Sequence, residues 1–355
     1  MFRVIAGSMF LLMWISAAVI AAELYQRIHF AGISTKNPHT MQFVELQNAN
    51  QTIEANLWEE PFWKYKPNSV AKMDSKLDKW EVRINSLGYR SRETTLEKPA
   101  GVYRIVCVGG STTMEGWFNS TTYPAYLEEM LRVQYQTESI EVINCGISGL
   151  KSQGELAKVN EYLAFEPDML MEYNFVNDLC FNLYPRWKQS LIESSLIRRI
   201  LGKSLFLTQR WEQFFLPNRS VMEDDIRDYV VDNLQSLGRT AKEKGVVPVF
   251  MTFSAPDIQK LTRDELEFYD HNLKTIWQAP DLSFDTYCEL VECYNRELLR
   301  MCQQENIICL PVADQFTGNI RTFTDICHLT DQGIKAKAET ISRLLKAEFP
   351  DTLPE

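Results

Sequence analysis

Four short strings, far apart in the chain, carry residue types that suit one reaction. They are Gly109-Gly-Ser-Thr112, Ile147-Ser-Gly149, Val176-Asn-Asp178 and Asp325-Ile-Cys-His328. Ser111 follows two glycines, which permit the sharp turn that exposes a hydroxyl at the end of a strand. His328 has the chemistry of a general base, and Asp325, three residues earlier, can hold its tautomer and steady the imidazolium. The side-chain amide of Asn177 and the backbone N–H groups of Gly149 and Ser111 are donors for a developing oxyanion. Gly146 competes with Gly149 for that place, since the same segment holds both glycines. Each string has a plainer reading by itself: an ordinary loop, a helix N-cap region, a turn-capping Asn-Asp. Together they supply a nucleophile, a base with its acid, and oxyanion donors, which is the equipment of acyl transfer through a serine ester.

These strings must be positioned by something, and the pattern around them says what. Arg104-Ile-Val-Cys-Val108 is a short β-branched run ending in Gly-Gly, the look of a buried parallel strand entering a tight turn. Further strands are expected over 140–143, 168–173, 247–253 and 307–311. Helices are expected between and after them over 123–136, 155–165, 224–244, 284–305 and 331–348. In the 224–244 stretch Ile226, Val230, Leu234, Leu237 and Ala241 share one face, with Gly245 past the end. Such alternation predicts an α/β fold with a parallel sheet of about five strands covered on both faces. In sheets of this kind ligands sit at the carboxyl ends of the strands, and all four strings fall there or on the loop after the fifth strand.

The blocks Val108-Gly-Gly-Ser-Thr-Thr113, Asn144-Cys-Gly-Ile-Ser-Gly-Leu-Lys-Ser-Gln153, Asn174-Phe-Val-Asn-Asp178 and Asp325-Ile-Cys-His-Leu-Thr-Asp-Gln-Gly333 resemble, in type and order, those of the SGNH (GDSL-like) hydrolases. The resemblance spans about 85–345 and implies a three-layer α/β/α, flavodoxin-like fold. It implies Ser111 as nucleophile, His328 as base, Asp325 as its partner, and Ser111, Gly149 and Asn177 as the oxyanion hole, with no cofactor and no metal. Two positions depart from the family pattern. Gly110 stands where an aspartate is usual. Phe175 stands where a glycine is expected, and its bulk is expected to narrow the acyl pocket or shift Asn177. The resemblance implies a serine esterase acting on an ester-bearing small molecule, a lipid or an acylated glycan. An O-acyltransferase using the same triad and an inactive envelope assembly protein of the same fold are the alternatives.

The N-terminus adds an address. Val4–Ala22 carries no charge and follows Arg3. As a helix it would rise about 28 Å, close to the ~30 Å of a hydrocarbon core. It reads as a signal anchor over 1–23 or as a signal peptide cleaved after the small residues near Ala21 and Ala22. Both place the rest of the chain outside the cytosol, as a single-pass membrane protein or a secreted one. Residues 24–100 read as an aromatic-rich stalk and packing segment, with Trp58, Phe62, Trp63, Tyr65 and Trp80, ahead of a hydrolase domain over 101–350. Two insertions interrupt that domain. Residues 180–222 read as helical, and their 180–220 stretch has seven Lys/Arg against two Glu. Residues 254–283 read as a polar loop over the site.

The net charge of -10 argues against a nucleic-acid partner. The spacing of eight cysteines and four histidines gives no metal-ligand pattern. Disulfides among Cys288, Cys293, Cys302 and Cys309 are compatible with export, while Cys107 and Cys145 read as buried strand residues. Sequons stand at Asn50, Asn119 and Asn218.

Overall fold

β-branched and apolar runs that are buried on both faces pair in parallel, because only crossover helices can cover such a sheet. In the computed structural model, which describes residues 2–37, 58–59, 64–74 and 79–353, that sheet is the centre of the molecule. Ahead of it lie a long helix α1 (Phe2–Lys36) and two small antiparallel pairs, β1 (Trp58–Glu59) with β2 (Lys64–Tyr65) and β3 (Val70–Asp74) with β4 (Lys79–Arg83). The sheet itself contains β5 (Tyr103–Gly109), β6 (Ile140–Asn144), β7 (Met169–Tyr173), β8 (Val247–Met251) and β9 (Ile308–Leu310). All neighbours are parallel and the order is β6-β5-β7-β8-β9. Counted within the sheet this is 2-1-3-4-5, the flavodoxin-like order. The chain reverses direction across the sheet beside β5, so the loops after β5 and β7 splay apart there and leave a crevice at their carboxyl ends.

The expected helices at Phe284–Glu305 and Asp331–Glu348 form over those residues. The expected 155–165 helix instead forms as Ser152–Ala157 and Val159–Leu163, interrupted at Lys158 (φ -95°, ψ 0°). The helix expected from 224 begins at Arg219, where Met222 already falls on the period of Ile226 and Val230, and it carries a wide turn over Arg227–Val231. The 254–283 insertion is not a loop throughout. Thr262 and Glu265 cap each other reciprocally and start a helix over Arg263–Thr275. The N-terminal helix likewise runs beyond 23, to Lys36.

Tyr65, Trp80, Val82, Ile84 and Tyr89 from the segment before the sheet are buried in the common core. Phe62 and Trp63 lie outside the described residues, as does Asn50. All eight cysteines are free thiols.

A fully buried carboxyl sits in the middle of this core. Glu172 on β7 lies in register between Val108 and Phe250, and no donor reaches either of its oxygens. It faces Glu155, also fully buried, which accepts from Asn174 Nδ2 at 2.7 Å. Burial pushes both carboxyls well up from their ordinary value, and the nearby Glu155 raises Glu172 further. Asp178 accepts from Ser152 N and Oγ, both at 2.8 Å, yet burial still raises it to about 6. The folded protein therefore holds protons that the unfolded chain has released, and stability is lost as pH rises through the raised values. The urea midpoint is expected to fall between about pH 5 and about pH 8, and Glu172→Gln is expected to flatten that fall. Parallel pH profiles for wild type and variant would contradict the protonated pair.

Candidate active site

The nucleophile block is shaped by sterics before chemistry enters. Gly109 ends β5 at φ +150°, and a Cβ there would collide with Thr113 Oγ1 and the Tyr173 carbonyl. Gly110 has an ordinary φ, but a Cβ on it would strike the Asn177 amide. Two glycines are thus needed to bring the chain this close to β7. Ser111 then opens a one-turn helix, α2 (Ser111–Met114). Its far end is held by Arg90, a buried guanidinium that donates to Met114 O and Gly116 O, both at 2.7 Å.

The histidine loop closes on the same point. Asp325 Oδ1 accepts from the backbone N–H of Cys327 (2.8 Å) and His328 (2.7 Å), which winds 325–328 into a tight turn. Its other oxygen lies 2.6 Å from His328 Nδ1. With that nitrogen protonated against the carboxylate, Nε2 keeps its lone pair, and Nε2 lies 2.7 Å from Ser111 Oγ. Burial by itself would raise the Asp325 carboxyl. The His328 ring beside it and the two backbone donors outweigh burial and hold it below the usual carboxylate range. Ser111, His328 and Asp325 thus form one hydrogen-bonded line across 217 residues of sequence. The serine hydroxyl and the imidazole are partly exposed, while the carboxylate is buried.

Ile147 to Leu150 makes a turn closed by Leu150 N→Ile147 O at 3.1 Å, with Gly149 at φ +74°. The two glycines of this block differ in role. Gly146 donates its N–H to Asn144 Oδ1 (2.9 Å), and a Cβ on it would come within 2.6 Å of Met114 N, so it is a packing glycine. Around Gly149 the space is open, and its N–H, like that of Ser111, has no protein acceptor among the described residues. Ser148 N–H donates to the buried Tyr65 hydroxyl at 2.8 Å, so β2 braces this turn. Asn177 Nδ2 donates to Leu150 O at 3.0 Å and makes a long 3.5 Å contact with Asn174 Oδ1. An amide carries two hydrogens, and the one on the weak contact can turn to a stronger acceptor.

Phe175 does not narrow the site. Its ring is fully buried, stacked on Tyr294 at 4.2 Å and edge-on to Phe253 at 6.2 Å. The large ring beside His328 is instead Trp277, 5.8 Å from it, with Phe181 stacked 5.6 Å beyond. Sequence reasoning missed Trp277, Arg90, Glu115 and Lys337. Glu115 and Lys337 form the lock of the site. Glu115 accepts from Leu329 N (2.8 Å) with one oxygen and from Lys337 Nζ (2.9 Å) with the other, and Lys337 also donates to Thr112 O at 2.7 Å. Burial lowers the Lys337 ammonium, opposed by Glu115 and by the Tyr123 and Tyr173 rings lying under it. A lysine among the alanines Ala336 and Ala338 on the last helix was the available signal.

No family model and no curated protein sequence matches this chain. Solved structures do. A protein described as lipolytic, of the G-D-S-L family, from Desulfitobacterium hafniense DCB-2 is 13% identical, with 68% of this chain and 99% of that one covered and a TM-score of 0.40. TesA is 16% identical (69% and 98% covered, TM-score 0.41). A catalytic mutant of Axe2, an acetylxylan esterase from Geobacillus stearothermophilus, is 15% identical (70% and 95% covered, TM-score 0.43). Identities this low and TM-scores this small leave the chemistry to be read from the chain's own geometry.

Removing the cation from the lock leaves Glu115 with the Leu329 N–H but no opposite charge. Lys337→Met is expected to cost on the order of 3–5 kcal/mol in urea unfolding, and the double variant Lys337→Met, Glu115→Gln to recover part of it. A single variant within about 1 kcal/mol of wild type would show that the pair does not hold the loop.

Proposed function

We propose that this chain is a serine hydrolase of carboxylic esters, anchored in a membrane by α1 with its catalytic domain outside the cytosol. The observation that carries the reading is the Asp325–His328–Ser111 line, with 2.6 Å and 2.7 Å contacts, at the carboxyl end of β5. Ser111 Oγ attacks the ester carbonyl while His328 Nε2 takes its proton, and Asp325 steadies the imidazolium. The N–H groups of Ser111 and Gly149 and the Asn177 amide are the donors for the tetrahedral oxyanion, Asn177 giving up its long contact with Asn174. His328 returns the proton to the departing alcohol, and water, activated by the same base, releases the acid from Ser111. The motif resemblance to SGNH hydrolases agrees with this assignment. Esters of lipids or O-acetyl groups on glycans are the substrates such a site would meet at a membrane surface.

The anchor is supported by Ser8–Ile33, whose most apolar stretch of 18 residues has a mean hydropathy of 1.7 and no part buried against the protein. It runs on into a helix that is long enough to leave the membrane and reach the domain.

Hydrolysis of p-nitrophenyl acetate by the full-length protein in detergent is expected, and Ser111→Ala should lower kcat on the order of 10³ or more. Equal rates for the two proteins would refute the triad. For topology, protease added outside intact cells is expected to digest the 101–350 domain. Digestion only after the cytosolic face is opened would reverse the orientation.

A further inference from the structure

The 180–222 insertion is not needed by the chemistry above, and its surface is unusual. Its helix Leu196–Leu201 starts at the Ser195 cap. Leu196, Ile197 and Ile200 are 63%, 62% and 60% exposed, and Trp211 is 55% exposed. Large apolar side chains left in water along one short segment mark a contact surface. Basic residues are interleaved with them: Arg198, Arg199, Lys203 and Arg210 against a single acid, Glu212, within 195–215. Glu212 is already engaged by Ser283 N and Oγ at 2.7 and 2.8 Å. The local charge is thus positive on a chain of net charge -10.

The position of this patch is fixed by α1. Glu23 is the first charge after the uncharged run Val4–Ala22. Its carboxylate accepts from Ser204 Oγ (2.7 Å), Leu205 N (3.1 Å) and Phe206 N (2.9 Å), and so caps the helix Leu205–Arg210. One turn on, Arg27 Nη2 donates to Lys203 O at 3.0 Å, and Gln26 pairs with Gln209. The insertion is therefore gripped within a turn of the point where the apolar run ends. If α1 spans a bilayer, that level is the boundary between acyl chains and headgroups. Aromatic and aliphatic side chains beside arginine and lysine are what this boundary accommodates, the rings and branched chains entering it while the cations reach phosphates.

We infer that residues 196–214 form a collar seated on an anionic membrane surface, around the foot of α1. The inference rests on the reading of α1 as an anchor, and it adds a second lipid contact made by the catalytic domain itself. It also holds the domain in one orientation. The Arg263–Thr275 helix packs on α1 through Phe30 and His271 (4.6 Å) and through Asn37 Nδ2→Asp264 O (2.9 Å), and it leads directly to Trp277 at His328. Collar and anchor together would keep the site at a set distance from the bilayer, where a span alone would leave the domain free to tilt.

The test uses the full-length protein in vesicles of phosphatidylcholine and phosphatidylglycerol whose acyl chains carry bromine near the headgroup. The Trp211 signal is the difference between wild type and Trp211→Phe; the Trp14 signal, taken the same way with Trp14→Phe and deep bromines, reports the span. Quenching of the Trp211 component by roughly twofold, with Trp14 also quenched, is the expected result. Trp14 quenched with Trp211 untouched would overturn the collar and leave the anchor standing, and this is also the result if a second copy of the chain covers the patch. Neither signal quenched would overturn collar and anchor together.

Discussion

The site exists because a buried ion pair joins two segments that the sequence keeps more than two hundred residues apart. Glu115 follows the one-turn helix of Ser111, and Lys337 sits on the last helix, just past the His328 loop. Their contact at 2.9 Å, with Glu115 also receiving the Leu329 N–H, sets the height of the histidine loop over the serine. Without that constraint a parallel sheet fixes only where the two loops emerge. It does not fix the final few ångströms on which proton transfer depends. A buried pair is a costly device, since both charges lose their hydration. Here the cost is offset by multiple partners, since Lys337 also meets Thr112 O and two tyrosine faces.

The same logic extends beneath the site. The floor under Asn174 and Asn177 contains the buried carboxyls of Glu155 and Glu172, and burial pushes both toward the neutral form. Asn174 spans the gap, donating to Leu150 O and to Glu155, both at 2.7 Å. It thereby ties the turn that carries Gly149 to the segment that carries Asn177. Polar groups buried with partners specify one arrangement where an apolar floor would permit several.

Segments outside the sheet complete the constellation. Arg90 stops the serine helix, Tyr65 braces the Gly149 turn, and Trp277 walls the histidine. The described residues at 64–74 and 79–102 therefore pack as part of the same body as the sheet. The N-terminal helix is likewise docked on the domain, through Glu23, Arg27 and Asn37, and not simply appended to it.

Local pattern determined a good deal here. β-branched runs bounded by glycine placed five parallel strands, because burial on both faces leaves no other composition. Apolar spacing placed the helices at 284–305 and 331–348 to the residue, since long amphipathic stretches with capping residues carry a strong signal. The order of the serine, glycine, asparagine and histidine blocks was enough to bring Ser111, Asp325, His328, Gly149 and Asn177 under one expectation. Tertiary structure decided what depends on neighbours distant in sequence. Phe175 turned into the core because Tyr294, on another helix, offered it a stacking face. Trp277 reached His328 from a stretch that read as a polar loop. Gly149 and not Gly146 kept a free N–H, because Asn144 took the other. The roles of Lys337 and Arg90 came only with the fold, for a sequence shows a charge but not the carbonyls and carboxylates that folding will bring to meet it.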